Sequence, residues 1–74
     1  MDKTAGHVYQ IMGENVRALR TALNLSQEEL AFRAGLDRTY VSQIERGLGN
    51  PSVLILTNIS VTLGVDVQDL FVQR

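Results

Sequence analysis

Ser26-Gln-Glu-Glu-Leu-Ala-Phe-Arg-Ala-Gly-Leu-Asp-Arg-Thr-Tyr-Val-Ser-Gln-Ile-Glu-Arg-Gly47 is the stretch on which the reading of this chain turns. Ser26 and Glu29, three apart, have the spacing of a capping box, in which each side chain bonds the other residue's backbone N–H. Leu30, Ala31 and Ala34 then form a short apolar stripe at helical spacing, and Gly35 supplies the left-handed residue that ends a helix. Asp37 is a second N-cap type, and Val41 and Ile44 anchor a second short helix that Gly47 stops. Two short helices joined by a tight turn therefore occupy Gln27 to Arg46. Ala31 stands where the crossing helices press together and Gly35 where the turn needs a positive φ. Arg38, Thr39, Ser42 and Gln43 are left facing outward near the start of the second helix, the position from which a reading helix reaches base edges in a major groove.

Upstream, Val8, Ile11, Met12, Val16, Leu19 and Leu23 recur at helical spacing and predict a helix from about His7 to Leu23, weakened in its middle by Gly13. Downstream, Asn50-Pro51-Ser52 opens a helix that ends at Gly64, with either Ser52 as its cap or Pro51 at its first position. Val53 to Val61 is β-branched enough to suggest a strand, but Leu56, Ile59 and Leu63 keep helical spacing between a cap and a glycine stop. Asp66 caps a last helical piece, Val67 to Phe71. The expected fold is all-α: a compact five-helix bundle in one domain spanning 1–74, with its motif at about 27–46.

Composition narrows the function. There is no cysteine and only one histidine, which excludes disulfide staples and thiolate metal sites and leaves a metal centre or cofactor unexpected. A core this small is marginal, so stability is expected from close packing or from burial against a second copy. The formal net charge is −1, which counts against a nucleic-acid binder, although Arg17, Arg20, Arg33, Arg38 and Arg46 crowd into one stretch. No apolar run follows Lys3, and Val53 to Leu63 is too short and too polar to cross a bilayer. A cytoplasmic protein with no membrane partner is expected.

Four blocks together resemble the Cro and phage-repressor type of helix-turn-helix, the XRE family: Gly13-Glu-Asn-Val-Arg-Ala-Leu-Arg20, Ser26-Gln-Glu-Glu-Leu-Ala31, Gly35 to Gly47, and Asn50-Pro51-Ser52. Leu63-Gly-Val65 and Leu70-Phe71 extend the likeness to about residues 12 to 71. Within the family, Leu36-Asp-Arg-Thr-Tyr-Val-Ser42 and Ile44-Glu-Arg-Gly47 are most similar to the controller proteins of restriction–modification systems. The resemblance implies a bundle of the lambda-repressor-like DNA-binding type. It also implies that Arg38, Thr39, Ser42 and Gln43 read bases, arginine gripping guanine and glutamine pairing with adenine. Ser26, Gln27, Tyr40, Arg46 and Asn50 would hold phosphates, with Tyr40 equally able simply to pack. Arg20 and Glu45 would form a buried structural ion pair.

The expected function is a transcriptional regulator that acts as a homodimer on near-palindromic double-stranded DNA. Leu54, Ile55 and Val61 exceed what one helix can turn inward, and with Val65 and Val67 they are expected to form the dimer interface. Ser60 departs from the family pattern, standing where a small alanine is usual. The chain runs three residues past Phe71, so no effector domain is expected and regulation would come from protein concentration or cooperative binding. The alternative is an antitoxin-like or protein-interaction module on the same scaffold, using the Asp66-Val-Gln-Asp69 end and the fourth helix. An enzyme is not expected: Glu29 is accounted for by the capping box, and adjacent Glu28 diverges from it around the helix. Arg17 and Arg33 read as surface charges and His7 as an exposed residue at the helix start.

Overall fold

The computed structural model describes residues 5–73, so Lys3 and Arg74 lie outside the described residues. Four α-helices follow in order: α1 (Ala5–Ala22), α2 (Gln27–Ala34), α3 (Arg38–Glu45) and α4 (Val53–Leu63). The fifth element, Val67–Phe71, is a 3₁₀ helix, which corrects the expected count of five α-helices. Five residues make fewer than two turns, and the Asp69 amide bonds the Asp66 carbonyl three residues back at 3.0 Å. The Asp66 amide in turn donates to the Asp69 carboxylate at 2.9 Å.

The caps form as local sequence dictates. Ser26 Oγ accepts from the Glu29 amide, and the Ser26 amide donates to Glu29 Oε1, both at 2.9 Å. The Ser26 amide, and after it the Ser26 side chain, hold the Glu29 carboxyl below the usual glutamate range. Asp37 Oδ2 accepts from the Thr39 amide at 3.0 Å and fixes the first turn of α3. Of the two openings considered for α4, the structure takes Ser52 as the cap, its hydroxyl accepting from the Ile55 amide at 3.2 Å.

Met12, Val16, Leu30, Val41, Ile44, Ile59 and Leu70 are fully enclosed, so every element contributes to one core. α1 lies across α3 and the 3₁₀ helix, and α2 packs on α3 and α4. The apolar stripe read along α1 overshoots this core, because Val8 and Leu23 at its two ends are about half exposed. α1 has 18 residues while α2 and α3 have 8 each, so its ends extend past the helices it covers.

Gly13 has a purpose that periodicity does not disclose. It is buried where α1 crosses the end of α3, and a Cβ there would collide with the Ile44 carbonyl oxygen and lie 2.9 Å from that of Glu45. The residue that weakens α1 as an isolated helix is the one that lets it rest on the α3 backbone. Two residues on, Asn15 is 3% exposed and donates through Nδ2 to the Leu70 and Val72 carbonyls at 2.9 and 2.7 Å, tying the C-terminal segment to α1.

α4 is apolar nearly all round. Leu56, Ile59 and Leu63 face the core, while Val53, Leu54 and Val61 are 74, 70 and 72% exposed. Its hydroxyls are satisfied within the helix: Thr57 donates to the Val53 carbonyl, Ser60 to that of Thr57, and Thr62 to that of Asn58, all at 2.8–2.9 Å. Ser60 can therefore stay buried, because its hydroxyl carries its own partner.

Gly13→Ala provides a test of the helix crossing. In a free helix the change would stabilise by about 1 kcal/mol. Here the overlap with two carbonyls is expected to destabilise by about 1–3 kcal/mol instead, read as a lowered midpoint in urea unfolding. An unchanged or raised midpoint would show that α1 does not rest on the α3 backbone.

Candidate nucleic-acid interface

α3 presents two opposed faces. With about 100° per residue, Arg38, Ser42, Thr39 and Gln43 span an arc of about 140°, and Val41 and Ile44 lie on the other side. Val41 and Ile44 are fully buried; Arg38, Thr39 and Gln43 are exposed and Ser42 is half-buried. Tyr40 is half-buried, its ring packed against the core. The four outward residues include one cation and three neutral side chains that can donate or accept, and none of the four uses its side chain in a hydrogen bond among the described residues.

The far end of α3 is locked in place. Arg20 grips Glu45 with two bonds, Nε to Oε2 at 2.6 Å and Nη2 to Oε1 at 3.0 Å, and its Nη1 donates to the Leu25 carbonyl at 2.7 Å. The two side chains are only 12 and 3% exposed. The hydrogen bonds to Glu45 hold the Arg20 guanidinium above its ordinary pKa, against the opposing cost of burial. Gln27, the first residue of α2, donates through Nε2 to the same Glu45 Oε1 at 3.1 Å. One carboxylate thus joins α1, the start of α2 and the end of α3. It also cancels Arg20, so the charges left on α3 and its two caps are Arg38, Arg46 and the capping Asp37, one more positive than negative on a chain of net charge −1.

Ser26, Gln27, Arg46 and Asn50 flank this face from the two sides. Ser26 is exposed, with its oxygen engaged by the Glu29 amide. Gln27 is half-buried and held by Glu45. Arg46 closes α3 and is exposed. Asn50 sits in the loop to α4, exposed, and its Oδ1 accepts from the Tyr9 hydroxyl at 2.8 Å. No cluster of three or more His, Cys, Asp or Glu that could hold a metal exists among the described residues. No described helix is long and apolar enough to cross a membrane.

Residues 16–70 match the helix-turn-helix family. The chain belongs to that family of DNA-binding transcriptional regulators. Control protein C.BamHI of Bacillus amyloliquefaciens is 48% identical over 61 residues, covering 81% of this chain and 75% of the relative. The restriction–modification controller protein C.AhdI from Aeromonas hydrophila superposes with a TM-score of 0.82 at 43% identity, over 85% of this chain and 96% of the other. The biofilm master regulator SinR, solved in complex with DNA, gives 0.76 at 38% identity, over 80 and 95%.

For this helix-turn-helix regulator, the structure separates the residues named for self-association. Leu54 and Val61 are open surface, seven apart on one face of α4, together with Val53, which the sequence reading did not single out. Ile55, Val65 and Val67 are half-buried against the chain's own core. Two further residues escaped the sequence reading. Tyr9 reaches Asn50 across 41 positions, which no local spacing signals. Phe32, on α2, is 85% exposed because Leu30, Ala31 and Ala34 already supply that helix's buried face.

The ion pair is open to a thermodynamic cycle. Arg20→Met and Glu45→Leu each leave a buried charge without its partner and are expected to cost about 3–5 kcal/mol. The double variant is expected to lose clearly less than the sum, since it removes both charges. Additive losses in thermal melts would show that the two charges do not act as a unit.

Proposed function

We propose that this regulator binds a near-palindromic operator as a homodimer, reads bases through Arg38, Thr39, Ser42 and Gln43, and works in the cytoplasm as a restriction–modification controller. Residues 1–74 act as one DNA-binding domain with its motif at about 27–46. The observation that carries this reading is the outward face of α3, polar and uncommitted, opposite the buried Val41 and Ile44. The likeness to two restriction–modification control proteins supports the controller assignment, and the likeness to SinR, solved with DNA, supports the binding mode.

Phosphates are held from both sides of the groove. Ser26 offers its hydroxyl proton and Gln27 its backbone amide and side chain at the start of α2, and Arg46 and Asn50 hold the other strand. Tyr40 completes the clamp at its hydroxyl end while its ring stays packed. Such contacts set register and orientation, and discrimination comes from the four residues that face the bases. Arg38 suits guanine O6 and N7, and Gln43 suits adenine.

Pairing brings two copies together over the open side of α4. Leu54 and Val61 form its centre with Val53 beside them, and Ile55, Val65 and Val67 support that surface from beneath. Even ~300 Å² of apolar area buried at about 25 cal/mol per Å² offers several kcal/mol before association entropy is subtracted. A two-fold axis there puts the two α3 helices on one side, and half-sites one turn apart require them about 34 Å from each other.

Arg38→Ala and Gln43→Ala are expected to keep the fold and lose about 1–3 kcal/mol of discrimination each, at one base pair per half-site. Arg46→Ala is expected to weaken all sequences alike and to reduce the salt slope by about one. Competition binding on single-base operator variants separates the two classes. Full operator preference in Arg38→Ala would show that α3 is not the reading helix.

Leu54→Glu with Val61→Glu tests the pairing surface, because both positions are open and neither supports the core. Sedimentation is expected to give a dimer for the wild type at micromolar concentration and a folded monomer for the double variant. A wild type that stays monomeric and binds its operator singly would defeat the dimer assignment.

A further inference from the structure

The loop from α3 to α4 contains two glycines with positive φ, Gly47 (+75°) and Gly49 (+83°), and next to them the exposed Asn50. A loop of this composition leaves an asparagine side chain free to turn unless something holds it. Two features of α1 supply the hold. Gly47 passes over the α1 backbone so closely that a Cβ on it would lie 3.3 Å from the Gln10 Cα. One residue earlier, Tyr9 packs its ring against the core and donates its hydroxyl to Asn50 Oδ1 at 2.8 Å. Asn50 is exposed and Tyr9 half-buried, so this bond is made at the rim of the molecule, where a freely turning side chain would have water as a competitor.

We infer that Tyr9 is a positioning residue for DNA binding, fixing the Asn50 carboxamide with its N–H donors presented to the phosphate backbone. A carboxamide has one acceptor oxygen and two N–H donors. With Oδ1 taken by Tyr9, Nδ2 has no partner among the described residues and keeps both donors for a phosphate oxygen. The Tyr9 hydroxyl could meet either end of the amide, and the anion selects between the two orientations, since the flipped one would aim an oxygen at it. Tyr9 fixes in advance a side chain that would otherwise be ordered only on binding. On the opposite flank, Glu45 does the same for the Gln27 amide. The reading helix is therefore bracketed by two carboxamides, each held by its oxygen or one hydrogen to a different helix.

The inference rests on the assignment of Asn50 to the phosphate clamp, and the test separates the two. Operator and non-operator DNA affinities are measured for Tyr9→Phe, Asn50→Ala and the double variant, at several salt concentrations, beside thermal melts. Tyr9→Phe keeps the packed ring and loses only the hydroxyl. It is expected to weaken operator and non-operator binding alike, about fivefold per half-site, the worth of one hydrogen bond. The salt slope should not change, because a neutral amide displaces no counterion. In the Asn50→Ala background, Tyr9→Phe should cost nothing further, whereas a purely structural loss would persist there. Unaltered affinity in Asn50→Ala would overturn both the clamp assignment and the inference. Weakened binding in Asn50→Ala with unaltered binding in Tyr9→Phe would overturn the inference alone, as would additive losses or a change in operator preference.

Discussion

The bidentate grip of Arg20 on Glu45 is the constraint on which the working surface depends. α3 has 8 residues and only two fully buried apolar side chains, Val41 and Ile44. Two aliphatic anchors fix how deep a short helix sits, but they leave it able to roll and slide. Glu45 removes that freedom at the end of α3, because its carboxylate meets a planar donor from α1 and an amide from α2 at once. A guanidinium offers parallel donors in a rigid fork, so the angle of the carboxylate is set along with its distance. The Asp37 cap fixes the other end of the same helix through the Thr39 amide. The outward residues are thus aimed by polar contacts at both ends of α3 and by apolar ones beneath it.

The arrangement also solves a charge problem. A chain with net charge −1 must present a positive face to an anionic partner. Pairing Glu45 with the buried Arg20 takes one negative and one positive charge out of view, while Glu28 and Glu29 stay exposed on α2. What remains on α3 and its two caps is Arg38 and Arg46 against Asp37. The distribution of charge, rather than its total, decides what this face attracts.

How much of this was legible beforehand follows the range of each interaction. Caps act within three residues, so Ser26 with Glu29 and Asp37 at the head of α3 could be read directly. The order and limits of the helices followed from apolar spacing, with α1 beginning two residues before the expected His7. Arg20 with Glu45 came from likeness to a family, since nothing in the spacing of two charges 25 apart announces a bond. Gly13 was legible only as a weakness, because its neighbours Ile44 and Glu45 arrive from a different helix. Tyr9 and Asn15 were not legible at all, their partners lying 41 and more positions away. The last element was misjudged because apolar pattern and a cap do not distinguish an α turn from a 3₁₀ turn over five residues.

The self-satisfied hydroxyls of α4 bear on how readily that helix can be dried. Covering a polar surface normally requires each stripped donor and acceptor to find a new partner, and each failure is costly. Thr57, Ser60 and Thr62 already spend their protons on carbonyls of their own helix. What α4 shows to the outside is therefore methyl groups and aliphatic chains, with Asn58 the one exposed side chain within it that is polar. Removing water from this strip releases solvent while breaking few bonds to it. A helix that looks one-third polar in composition behaves toward a covering surface almost as a hydrocarbon, and Asn58 alone would dictate where a matching polar group has to stand.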